Sequence, residues 1–250
     1  MTYIDKLFNL DCKVVVVIGA GGHLCSEMAR GFANAGCAVI LLDANISGAE
    51  DVASKIRDDG GRALALKMDV NQKQDFERCL KKILNEFDRV DVLINGAGIN
   101  APTPFLEIRE EEWDHILSVN LKGTLFGCQV FGRQMLKHGS GSIINISSAS
   151  AGPPLSKAFT YSVAKAGIIS MTRYLATLWA KKGIRVNCIS PAGVYKKHDK
   201  KFVEQLSQRI PLGRMAKLHE FNGAIIYLCS NASSFVTGHN LVIDGGRTIW

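Results

Sequence analysis

Long apolar runs, paired cysteines and metal-ligand spacings are all missing from this chain of 250 residues. No apolar stretch approaches the roughly 20 residues needed to cross a bilayer as a helix, so no membrane association is expected. The opening MTYIDKLFNLDCK has none of the apolar character of a secretory signal, and export is not expected either. Seven cysteines (12, 25, 37, 79, 128, 188, 229) show no C-x-x-C spacing. Their odd number and scatter point to reduced thiols in the cytoplasm, not to disulfides or zinc. The histidines offer no ligand spacing, so no metal is expected; His138, near a predicted helix end, reads as a surface residue complementing the helix dipole. Repeats, low-complexity tracts and linkers are absent as well. A chain with 47% hydrophobic and 21% charged residues, at this length, suits one domain spanning residues 1–250.

What is present is an alternation of strands and helices. Apolar runs predict strands near 13–19, 38–43, 62–69, 90–95, 141–147, 184–190 and 239–243. Helical patterns fall near 22–35, 46–60, 71–87, 111–138, 157–182 and 214–230. Such alternation implies an α/β fold: a seven-stranded parallel sheet with helices on both faces, joined by right-handed crossovers. The longest irregular stretch, 191–213, carries its own short helix near 199–209 and leaves the carboxyl end of a strand. Ligands of such sheets bind there, which makes the stretch the natural substrate lid.

Charge is concentrated around that stretch. Residues 171–217 hold eleven Lys/Arg against two Asp/Glu, a surplus of nine in a chain whose total is +7. Lys196, Lys197, His198, Lys200 and Lys201 crowd together within it. Two readings stand side by side: attraction of an anionic substrate, and a solvated helix face. Nucleic-acid binding is not expected, because only Tyr195 and Phe202 interleave with the basic residues and no nucleic-acid motif occurs.

The amino-terminal third reads as a nucleotide site. KVVVVIG at 13–19 has the β-branched character of a buried parallel strand, and Gly19, Ala20, Gly21 and Gly22 follow it before a helical pattern from Leu24 to Ala35. A strand, a glycine-rich turn and a helix start place backbone N–H groups and partial positive charge where a pyrophosphate can sit. The next strand ends at Asp43, about 20 residues on, where a carboxylate would bond an adenosine ribose and repel a 2′-phosphate. No Arg or Lys occurs between Asp43 and Lys55. NAD is favoured over NADP.

The most informative stretch is Tyr161-Ser162-Val163-Ala164-Lys165, with Ser148 thirteen positions before the tyrosine. On a helix, the i,i+4 spacing stacks Tyr161 and Lys165 on one face. A free phenol, with a pKa of roughly 10, is a poor base at neutral pH. An adjacent ammonium favours the phenolate, so Tyr161 could exchange a proton with an alcohol or carbonyl oxygen. Ser148 would hydrogen-bond the same oxygen; Ser147 is the other candidate hydroxyl, and the spacing to Tyr161 favours Ser148.

Taken in order, these pieces resemble the short-chain dehydrogenase/reductase family over nearly the whole chain. The matching pieces are the Gly19–Gly22 turn, Asp43, Asp69-Val70, Asn95-Gly96-Ala97-Gly98, Asn120 in SVNLKG, Ser148 in INISS, the Tyr161/Lys165 pair, Pro191-Ala192-Gly193-Val194 and Asp244-Gly245-Gly246. The resemblance implies a single Rossmann-type doubly wound domain and a catalytic tetrad of Asn120, Ser148, Tyr161 and Lys165. It implies that Gly19, Gly21, Gly22, His23 and Leu24 meet the pyrophosphate, that Asp43 takes the ribose, and that Asp69 and Val70 flank the adenine. Asn95 to Gly98 would line the cofactor, with Asn95, Ala97 and Gly98 among its contacts; Lys165 would bind the nicotinamide ribose beside Tyr161, Pro191 would belong to the cofactor site, and Val194 would contact the nicotinamide amide. Asn120 would bind a water through a backbone kink and so connect Lys165 to solvent.

The chain departs from the family's T-G-x-x-x-G-x-G turn, with His23 and Cys25 at the second and third glycine positions, and Gly96 replaces the second asparagine of N-N-A-G. Ala192 stands where a glycine usually follows the proline. The segment PPLSKAFTYSVAKAGI, together with Cys25, is similar to the sugar-acid and polyol branch of the family, such as gluconate or mannonate oxidoreductases; the ending DGGRTIW resembles relatives that serve surface-sugar biosynthesis. The implied function is NAD(H)-dependent interconversion of a secondary alcohol and a ketone on a sugar, sugar acid or polyol. A 3-oxoacyl thioester reductase is the alternative chemistry, and a non-catalytic dinucleotide-binding regulator the alternative class. By resemblance a homodimer or homotetramer is expected, with Phe126, Phe131, Trp179, Ile249 and Trp250 as candidate contacts or as ordinary core.

Overall fold

β-branched residues dictate the centre of the fold. Strand β1 (Val14–Ile18) is β-branched at every position, and all five residues are buried. This is the pattern of a parallel strand covered on both faces. A computed structural model describes residues 2–153 and 158–250; residues 154–157, part of the segment compared above with sugar-acid relatives, lie outside the described residues, as does the first position of the helix expected from 157. Around β1 are arranged β2 (Ala38–Asp43), β3 (Arg62–Lys67), β4 (Val92–Asn95), β5 (Gly141–Ile146), β6 (Ile184–Pro191) and β7 (Asn240–Ile243). All pairings are parallel, in the order β3-β2-β1-β4-β5-β6-β7.

Helices cover both faces, and their apolar stripes explain where each lies. In α2 (His23–Asn34) the buried Cys25, Met28, Ala29 and Phe32 recur at the spacing of one helical face. They join the cluster containing Val15, Val17, Val39 and Leu41 with α3 (Ile46–Asp58) and α9 (Asn222–Cys229), the latter preceded in the chain by α8 (Lys200–Ser207), the short helix expected near 199–209. The opposite face packs α4 (Lys73–Phe87), α6 (Gly123–His138) and α7 (Phe159–Trp179) on Val16, Ile40, Leu93 and Ile143 through Phe76, Phe131, Met135 and Leu175. Each fully buried side chain of this size contributes roughly 1.5–3 kcal/mol relative to exposure.

The structure departs from the predicted elements in three places. A short amino-terminal helix, α1 (Tyr3–Phe8), is closed by a reciprocal Thr2/Asp5 capping box and buries none of its residues. The helix expected over 111–138 is divided into α5 (Glu110–Leu117), a π-turn (Ser118–Lys122) and α6. The helix expected from 214 starts later: Ala216 bridges Val194 and Glu220 pairs with Arg214, so a 3₁₀ turn (Leu218–Phe221) precedes α9. Expected contact residues also turn inward, since Phe131 is fully buried and Trp179 packs over Gly132; Ile249 and Trp250 are exposed.

From β1 the sheet extends one way to β2 and β3 and the other way to β4 through β7. The crevice beyond the carboxyl ends of β1 and β4 is the topological switch point where such sheets bind ligands.

Candidate active site

Three strand ends build the amino-terminal half of the site. β1 runs into Gly19, whose φ of +81 suits glycine, and a Cβ there would lie 2.7 Å from the Ala97 amide nitrogen. The two turns therefore approach more closely than any other residue would permit. Gly22 caps α2 without a side-chain hydrogen bond, leaving the N–H groups of its first turn for an anion. At the end of β2, the Asp43 carboxylate accepts hydrogen bonds from the Gly21 and Asn45 amides, both at 2.8 Å. The carboxylate thus braces the turn and faces the crevice.

These residues line a cleft of about 480 Å³ together with Asp69, Val70, Ala97 and Gly98. Its backbone cradle, open helix start and cleft-lining Asp43 carboxylate fit a dinucleotide. Cleft-lining residues that pattern reading did not select include Asn45, Asn71, Ile99, His115 and Val119. Ile99 directly follows the N-G-A-G run, and His115 and Val119 are one turn apart on the α5/π-turn segment, which is the signal that could have found them. A larger, more open hollow of about 920 Å³ lies against Leu117, Leu121, Leu125 and Met171, but no tetrad member lines it.

Some expected cofactor residues sit elsewhere. Asn95 is beneath the cleft rather than in it: its amide donates to Asn145 Oδ1 at 2.8 Å, and the side chain is buried between β4 and β5. His23 is exposed at the start of α2, and neither it nor Leu24 lines the cleft. Pro191 ends β6, and Val194 is held beside Ala216 by a bridge, with Ala216 donating to the Gly193 carbonyl at 2.8 Å. The positive φ of this loop falls on Gly193, one position after Ala192.

The carboxyl-terminal half brings together the residues expected to form the tetrad. Ser148 follows β5, and its oxygen accepts from the Ser150 amide (3.2 Å) and hydroxyl (2.9 Å). Ser147 is 1% exposed and spends its hydroxyl on the Lys165 carbonyl at 2.9 Å, which leaves Ser148 as the hydroxyl that meets Tyr161. On α7, Lys165 Nζ lies 5.3 Å from the centre of the Tyr161 ring and donates to the Ile146 carbonyl at 2.9 Å. Burial lowers the Lys165 pKa to about 8. Burial also raises the Tyr161 pKa, and the hydrogen bond with Ser148 works in the opposite direction. The expected lowering of the phenol pKa is thus reversed: desolvation prevails, and the one opposing influence is the Ser148 hydrogen bond.

Asn120 explains the π-turn. Its side-chain amide donates to the Ile116 carbonyl and to the Ile99 carbonyl, each at 2.9 Å, while Thr124 Oγ1 donates to the Asn120 carbonyl at 2.7 Å. Side chains take over two carbonyls of the i→i−4 ladder, and the helix widens locally. Asn120 Oδ1 is left buried without a partner. It adjoins Gly98, where a Cβ would lie 2.6 Å from that oxygen and 3.4 Å from Lys165 Nζ. Gly98 is therefore the point at which the cleft meets the tetrad. Among the described residues no group of three or more His, Cys, Asp or Glu could hold a metal, and no helix is long and apolar enough to cross a membrane.

Comparison with known proteins places this geometry. The family model described as enoyl-(acyl carrier protein) reductase matches residues 19–248. An NAD-dependent glycerol dehydrogenase of Listeria innocua is 37% identical over 250 residues, covering 98% of this chain and 97% of the relative. A D-threitol dehydrogenase of Mycolicibacterium smegmatis is 35% identical over 251 residues, covering 98% and 96%. The crystal structure of a gluconate 5-dehydrogenase from Burkholderia cenocepacia, in complex with NADP and tartrate, matches with a TM-score of 0.94 at 30% identity over 99% of this chain and 100% of that one. The chain belongs to the short-chain dehydrogenase/reductase family and is an NAD(P)-dependent oxidoreductase acting on CH–OH groups.

Proposed function

We propose that this family member uses NAD(H) to interconvert a secondary alcohol and a ketone on a polyol, sugar or sugar acid. The observation that carries the reading is the convergence of Ser148, Tyr161 and Lys165 beside a cleft whose ribose end holds Asp43. Relatives named for glycerol and threitol support the substrate class, and the NAD-dependent one supports the cofactor.

When bound, the dinucleotide supplies or accepts the hydride. Tyr161 exchanges the proton of the substrate oxygen, and Ser148 orients that oxygen. Lys165 sits close enough to Tyr161 to stabilise its anion and to reach the nicotinamide ribose. Asn120, through its unpartnered Oδ1, is placed to hold a water between Lys165 and solvent. Asp69 and Val70 flank the adenine, and the Pro191–Val194 turn contacts the nicotinamide amide. Segment 191–213 serves as the lid; its lysines 196, 197, 200 and 201 are all exposed, which suits attraction of an anionic substrate. Assembly as a dimer or tetramer in the cytoplasm, with α6 and α7 pairing, completes the reading; Tyr174 and Leu178 on α7 are exposed at 67% and 54%.

The test is oxidation of NADH and of NADPH over a panel of keto-sugars, keto-sugar acids and acetoacetyl thioesters, with Tyr161→Phe as control. Turnover of a keto-sugar or keto acid with NADH, lost in Tyr161→Phe while NADH still binds, is expected. Preferential thioester reduction would assign acyl chemistry instead, and NADH binding without turnover of any substrate would assign a regulator.

A further inference from the structure

Gly96 follows β4 and lines the cleft, its amide donating to the Ile18 carbonyl at 3.0 Å. Cys25 lies on the buried face of α2 at 4% exposure. A Cβ built on Gly96 would overlap the Cys25 sulfur, and would lie 3.1 Å from the Ile18 carbonyl oxygen and 3.4 Å from Ile146 Cγ1. Side chains at 25 and 96 thus share a single volume. The Cys25 side chain excludes bulk at position 96.

The position of that volume gives the exclusion a functional consequence. Residues 96–98 are wedged between Gly19 on one side and the tetrad on the other, since Ala97 N approaches Gly19 and Gly98 adjoins both Asn120 Oδ1 and Lys165 Nζ. Ile146, which the same Cβ would meet, offers its carbonyl to Lys165. The thiol remains protonated, its pKa pushed up to about 12 by burial, and it packs as a small apolar group.

We propose that Cys25 is a positioning residue: with Gly96 it forms one steric unit that sets the height of the cleft floor and, through residues 96–98, the placement of the dinucleotide relative to Lys165 and Asn120. The proposal rests on the cleft being the dinucleotide site. Interiors close-packed to this degree transmit the displacement of a single atom to their neighbours.

The experiment is a double-mutant cycle on the full chain with Cys25→Ala, Gly96→Ala and the pair, plus Cys25→Ser as a variant of similar shape. NADH affinity is measured by fluorescence titration and thermal midpoints are taken alongside. Cys25→Ser should keep wild-type NADH affinity with a lowered thermal midpoint from its buried hydroxyl, Cys25→Ala should weaken NADH a few-fold, and Gly96→Ala should weaken it about tenfold or more, with the pair returning to within about threefold of wild type. A pair that binds NADH no better than Gly96→Ala overturns the proposal. So does a Gly96→Ala protein with a lowered thermal midpoint but unchanged NADH affinity, because the residue then acts on stability alone. If Gly96→Ala does not fold, a folded, NADH-binding pair supports the steric unit and an unfolded pair refutes it. Wild-type protein that binds neither NADH nor NADPH overturns the cleft assignment and this proposal together; normal binding with an additive cycle overturns this proposal alone.

Discussion

Replacing Asp43 with asparagine should relax the proposed preference for NADH over NADPH, and the structure bounds the size of the effect. The Asp43 carboxylate accepts from the Gly21 and Asn45 amides at 2.8 Å each. An isosteric amide keeps one of these acceptors and turns its NH₂ toward the other donor. Because the carboxylate is only half buried, the local loss sits at the low end of the range for hydrogen bonds to charged groups, about 1–2 kcal/mol. Discrimination comes from charge. A 2′-phosphate carries close to two negative charges, and two unit charges in contact in bulk water interact by about 1 kcal/mol, so its repulsion by Asp43 is at least about 2 kcal/mol, or about thirtyfold. Titrating both cofactors into wild type and Asp43→Asn at about 0.15 M salt, where screening extends over about 8 Å, measures the change without low-salt exaggeration. The Kd ratio of NADPH to NADH should fall about thirtyfold or more. A ratio that moves less than about threefold, or a wild type that already prefers NADPH, refutes the argument.

Three further outcomes follow from the site. Ser148→Ala should lower kcat about 100-fold or more while leaving the thermal midpoint nearly unchanged, whereas Ser147→Ala should cost about 1–2 kcal/mol of stability through its lost bond to the Lys165 carbonyl; equal losses of activity would reassign the hydroxyl. Because burial raises the Tyr161 pKa, alcohol oxidation, which needs the phenolate, should speed up from neutral toward alkaline pH, and ketone reduction should slow on the same limb. Ser148→Ala should shift that limb to higher pH, and an acid optimum for oxidation would contradict the assignment. For Lys165, the folded pKa of about 8 lies below the ordinary 10.5, so the unfolded chain binds more protons between those values. The burial penalty is complete below about pH 8 and is relieved as pH rises to 10.5. Lys165→Met should therefore gain most over wild type at lower pH, the gain shrinking by up to roughly 3 kcal/mol across that window; a flat difference in urea unfolding would exclude a charged buried amine.

The strands were legible because β-branched runs such as Val14–Ile18 have few other places to go, and the helices of the first half because Cys25, Met28, Ala29 and Phe32 mark one face. The α5–α6 break was not legible as a π-turn. It depends on Asn120 reaching Ile99, more than five helical turns away along the chain, as well as Ile116 within its own turn. The late start of α9 likewise follows from Ala216 pairing with Val194, a contact between segments far apart in local pattern. Asn95 was placed among cofactor residues because it ends a strand at the crevice; which way its side chain points was decided by the buried acceptor on Asn145.

By itself the sequence determined the order of elements, the presence of a glycine turn followed by a carboxylate, and the Tyr161/Lys165 spacing, since all of these are local patterns of polarity and backbone freedom. Only the tertiary structure decided which serine faces Tyr161, that desolvation raises the phenol's proton affinity, and that Cys25 and Gly96 contend for one space. Those outcomes depend on which atoms exclude water or one another, and that is known only once distant strands lie side by side.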